Sequence, residues 1–93
     1  MKLLPLNEPV NIPVHITDMD TGGNIGGVHV ILRNTTNLDC FDCTTGSAGG
    51  CTLYNVPPGQ YEYTIYKETY SEERGIIEIS FGSTIEESLK QET

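Results

Sequence analysis

Three cysteines have the spacing most suggestive of chemistry. Cys40 and Cys43 are separated by Phe41 and Asp42, and Cys51 follows a stretch of threonine, glycine, serine and alanine. In an oxidising setting Cys43 and Cys51 would face each other across two strands. Closing that short loop stabilises a fold by roughly 2.5 kcal/mol. Cys40 with Cys51 is the competing bond, and either pairing leaves one thiol over. The Cys40-Phe41-Asp42-Cys43 spacing also matches a zinc knuckle, with Cys51 as a third thiolate and His15 or His29 as a fourth ligand if their strands lie beside the hairpin. A dithiol redox role would need a helix N-terminus to lower a thiol pKa, and none is predicted here. With no evident fourth ligand, neither a metal nor any other cofactor is assigned.

The remaining polar residues form no reacting set. His15 and His29 fall on the outward parity of their strands. Nothing in the spacing sets a Ser or Cys beside a base that a third group orients, so no catalytic residue is assigned. Asp18, Asp20 and Asn24 have the oxygen-rich composition of a calcium loop, but His29 stands where the helix-loop-helix pattern needs a bidentate Glu. A turn in which Asp side chains accept backbone N–H groups is the plainer reading. Asn34-Thr35-Thr36 fits a glycosylation acceptor. Tyr61 and Tyr63 read as core. Tyr54, Tyr66 and Tyr70 are the candidate contact surface, because an aromatic face can anchor a protein interface or stack on a sugar ring.

The chain has 93 residues, with 13 acidic against 5 basic and a net charge of -8. That sign repels phosphate backbones, which argues against nucleic acid. Apolar runs fall far short of the roughly 20 residues needed to span a bilayer, so no membrane insertion is expected. Met1-Lys2-Leu3-Leu4 meets Pro5 before any apolar stretch of secretory-signal length develops. We therefore read no signal peptide here, while an extracellular, cell-surface or virion setting is favoured. One domain is expected over residues 10–90, with an N-terminal extension over 1–9 and a C-terminal tail over 91–93.

These groups must be positioned by strands. Short runs rich in Val, Ile, Thr and Tyr are punctuated by Gly, Pro, Asn and Asp at intervals of about ten residues. Val10 to Thr17 alternates Ile12, Val14 and Ile16 with Pro13, His15 and Thr17, and Pro13 suggests an edge strand because it lacks an N–H donor. Val28, Val30 and Leu32 point inward from a second strand. A short strand through Leu38 to Thr44 leads to Gly46-Ser47-Ala48-Gly49-Gly50, the most flexible loop on composition. Cys51 to Tyr54, Tyr61 to Tyr66, Gly75 to Phe81 and Ser83 to Leu89 complete about seven strands, with Ile77, Ile79 and Phe81 directed inward.

Three segments in order resemble the carboxypeptidase regulatory-like family. Ile16-Thr17-Asp18, Thr21-Gly22 and Ile25-Gly26-Gly27-Val28-His29-Val30 are similar to its strand, Asp turn and second strand, with Gly26 where proline is usual. Leu53-Tyr54-Asn55-Val56-Pro57-Pro58-Gly59-Gln60-Tyr61 is similar to its "Val-Pro-Pro-Gly" turn. Tyr70 with Ile76 to Ile79 matches its loop aromatic and following strand. The Cys-flanked hairpin departs from the pattern. The resemblance implies an all-β, seven-stranded antiparallel Greek-key sandwich of transthyretin-like (prealbumin-like) type.

It also implies a non-catalytic module that mediates protein–protein interaction or assembly in a surface, secreted or virion structure. A carbohydrate-binding accessory module using exposed tyrosines, or a zinc- or disulfide-stabilised structural domain, are the alternatives.

Overall fold

The computed structural model describes residues 8–92. Most of the expected N-terminal extension, and the stretch read for a secretory signal, fall outside the described residues. Seven strands follow in order: β1 (Val10–Asp18), β2 (His29–Asn34), β3 (Cys40–Thr44), β4 (Gly50–Val56), β5 (Gly59–Tyr66), β6 (Glu73–Ile79) and β7 (Ile85–Leu89). They form two layers, a three-stranded sheet ordered β4-β1-β7 and a four-stranded sheet ordered β3-β2-β5-β6. The alternation that marks these segments in sequence is what builds the core. Ile12, Val14 and Ile16 from β1 meet Val30 and Leu32 from β2, Leu53 from β4, and Tyr61 and Ile65 from β5, all buried. At roughly 1.5–3 kcal/mol per fully buried aliphatic side chain, this inner face is the main stabilising term.

β1 is the middle strand of its sheet, not the edge strand that Pro13 suggested. The proline is accommodated by a local edge. Ile16 donates its N–H to Gly49 on the β4 side, so by alternation the Pro13 nitrogen faces β7. The β1–β7 ladder starts only at Val14–Ile85, so no partner strand stands opposite Pro13. That ladder is parallel, an exception within the otherwise antiparallel sandwich.

Two further expectations change. Phe81 is not inward but 84% exposed, because β6 ends at Ile79 and the chain turns through Ser80 and Ser83, where the Ser83 N–H donates to the Ser80 carbonyl at 3.1 Å. The glycine-rich loop is pinned rather than loose. Gly49, at φ 79°, lies so close to β1 that a Cβ there would come within 2.6 Å of the Ile16 carbonyl oxygen. Beside it Thr45 is buried, accepting from the Val28 N–H at 2.9 Å and donating to the Ile25 carbonyl at 2.7 Å. The tail is partly docked too, since Glu92 donates its N–H to the Thr69 carbonyl.

Candidate contact surfaces

Cys43 and Cys51 are joined in a disulfide, and Cys40 is free and exposed. Cys43 lies on β3 and Cys51 on β4, strands at the same side of the sandwich but in different sheets, so the bond staples one layer to the other. It consumes two of the three thiolates that the zinc reading requires. His15 and His29 stand on different sheets, and no group of three or more His, Cys, Asp or Glu able to hold a metal ion occurs among the described residues. Of the two alternatives for stabilisation, the cysteines take the disulfide in this structure.

The imidazoles are committed to neighbours on the outer faces. His15 Nε2 lies 2.8 Å from Asn24 Oδ1. His29 Nδ1 lies 3.2 Å from Thr44 Oγ1, and its ring stacks on Tyr66 with centroids 5.0 Å apart.

Asp18 closes the first turn as the plainer reading proposed. Its Oδ1 accepts from the Asp20 and Thr21 N–H groups at 2.8 and 3.0 Å, and its Oδ2 accepts from the Tyr70 hydroxyl at 3.0 Å. The Thr21 and Asp20 backbone donors hold the carboxyl below its usual range, with Tyr70 adding to them. Tyr70 is therefore engaged by its own chain. The bond to Asp18 pushes its hydroxyl up, and its backbone bridges Gln91 beyond β7.

The three candidate tyrosines do not share a surface. Tyr54, 66% exposed, stands on the outer face of the three-stranded sheet. Tyr66, 40% exposed, stands on the outer face of the other sheet, and Tyr70 is half-buried in the loop before β6. No common stacking platform for a sugar results. The Oδ1 of Asn34 accepts from the Thr36 and Asn37 N–H groups as a turn cap.

The open side of the sandwich, between β6 and β7, is acidic. Burial, and after it Glu73, pushes the Glu87 carboxyl up, while burial with Glu87 and Glu73 raises the Tyr63 hydroxyl. At one end of the molecule a more apolar cleft of about 640 Å³ opens, lined by Val10, Pro13, Pro58, Phe81 and their neighbours. Sequence parity placed Phe81 in the core and so missed this cleft. The signal was present in Gly82-Ser83, a turn pair directly after Phe81 that ends strand periodicity.

No family model matches the chain, and no curated protein matches it. Solved structures do. The 5-hydroxyisourate hydrolase of Klebsiella pneumoniae superposes with a TM-score of 0.64 at 16% identity, covering 97% of this chain and 94% of that one. The fold is transthyretin-like. The group B streptococcus pilus 2b backbone protein gives a TM-score of 0.67 at 17% identity over 89% of this chain. The major pilin subunit of Bacillus cereus gives 0.63 at 14% over 91%. The chain spans only 41% and 30% of the length of those two pilins. Identities this low carry the fold alone.

Proposed function

We propose that this transthyretin-like chain is a non-catalytic module, of the carboxypeptidase regulatory-like group, that mediates protein–protein contact in a surface, secreted or virion assembly. One observation carries the reading: the groups that could do chemistry are spent on structure, while large apolar side chains are left outside. Asp18 closes a turn, Thr45 a loop and Cys43–Cys51 the sandwich. Tyr54, Tyr66 and Phe81 meanwhile face solvent on different parts of the surface. Aromatic side chains supply contact area at low conformational cost, and edge strands offer backbone partners. The disulfide fits an oxidising compartment. Pilin structures with this fold agree with an assembly role.

The test is a photo-crosslinking residue at position 66 or 81, with position 47 on the glycine loop as control, used in cells that make the protein. Protein adducts at 66 or 81 and none at 47 are expected. Binding on a glycan array with no protein adduct would reverse the reading.

A further inference from the structure

We propose that β6 is a homodimer edge, pairing antiparallel with β6 of a second copy in a register centred on Ile76. This deepens the assembly reading by naming another copy of the chain as a partner.

Among the described residues, β6 is the last strand of its sheet and pairs only with β5. Thr35 donates its N–H to the Gln60 carbonyl, so Gln60 turns its backbone groups toward β2. By alternation Tyr61, Tyr63 and Ile65 turn theirs toward β6, where they meet Ile77, Gly75 and Glu73. Arg74, Ile76 and Glu78 therefore point their N–H and C=O groups at the free edge. Their side chains share the outer face of the sheet, with Ile76 57% exposed.

A two-fold axis through Ile76 sets these residues against themselves. Ile76 meets Ile76 of the copy, and each Arg74 meets the copy's Glu78. Each facing pair can exchange both backbone hydrogen bonds. An apolar pair is then flanked by two opposite-charge pairs, the cross-strand arrangement that stabilises an antiparallel ladder. Arg74 is free to turn, since its side chain is 72% exposed and bonded locally only to Glu72 at 2.9 Å.

Neighbouring registers fail. A slip of two residues one way sets Glu72 against Glu78, and the other way sets Ile76 against Glu78. The other edges are worse placed: symmetric pairing of β3 opposes Asp42 to Asp42, and that of β7 opposes Glu87 to Glu87. β4 is tied on its outer side to β3 by the disulfide.

The test is sedimentation equilibrium of the full chain over a concentration series. Wild type is expected to dimerise. Arg74→Glu alone and Glu78→Arg alone each set like charges opposite one another and should weaken the dimer by roughly tenfold or more. Arg74→Glu combined with Glu78→Arg should restore it, and so should mixing the two single variants. The mixing arm also answers whether a single variant has merely failed to fold, because only folded chains recover the dimer. Wild type that stays monomeric up to about 1 mM overturns the proposal. So does a dimer indifferent to both charge reversals. Either result leaves assembly with a different protein standing, since the crosslinks at 66 and 81 lie off this edge.

Discussion

The Tyr70 hydroxyl donates to Oδ2 of Asp18 across 3.0 Å, tying the loop before β6 to the end of β1. Asp18 has its folded pKa below the usual 3.8, so its contribution is full above that value and is lost as pH falls through the lower folded one. Tyr70 is raised above 10.0, so its contribution is full below that value and is lost as pH rises through the folded one. Tyr70→Phe should lower the thermal midpoint between these limits, with the gap to wild type narrowing in strong acid and strong base. Asp18→Ala, which also removes two backbone bonds, should lower it further. Melting curves across pH check both.

Reducing the Cys43–Cys51 bond should destabilise the fold by about 2–3 kcal/mol, read from urea titrations with and without reductant. Cys40→Ser should change stability by less than about 0.5 kcal/mol, because the side chain is exposed. Thiol titration of denatured chains should find one thiol before reduction and three after.

Thr45→Val keeps the shape of the side chain and removes a buried hydroxyl that both donates and accepts. The Val28 N–H and Ile25 carbonyl would be left without that partner, at about 1–3 kcal/mol. Thr45→Ser should cost less. Comparison of the two urea midpoints separates the lost hydrogen bonds from lost packing.

Glu87 has the opposite sign to Asp18. Its folded pKa lies above the usual 4.5, because burial and then Glu73 oppose its charge, so the stability it contributes is present below that value and lost as pH rises through the folded one. Glu87→Gln should therefore raise stability near pH 7, by no more than about 0.5 kcal/mol since the group remains well solvated. The advantage should disappear in acid below 4.5. A variant that melts lower than wild type at neutral pH would count against this account.

Period-two alternation made the strands and most of the core legible, because burial of one sheet face imposes it directly. Ile12, Val14 and Ile16 and the pair Tyr61 and Ile65 are inward as that pattern requires. What stayed hidden depends on partners remote in sequence. Pro13 reads as an edge signal, and only the starting level of β7 explains how it sits in a middle strand. The loop Gly46 to Gly50 reads as loose from its glycines, yet those glycines permit close approach to β1. The candidate surface fared worst, since parity gives a face but not the occupant. Tyr70 looked available until Asp18 was seen to accept from it, and Phe81 looked buried because the strand was carried two residues too far.

The parallel register of β1 and β7 has a mechanical consequence. The chain enters the sandwich at Val10 and leaves after Leu89, and the ladder from Val14–Ile85 to Asp18–Leu89 joins these two terminal strands. Tension applied between the two ends of the chain therefore pulls the strands in opposite directions along their length. The bonds of the ladder are loaded together in shear, rather than opened one after another as in an unzipping hairpin.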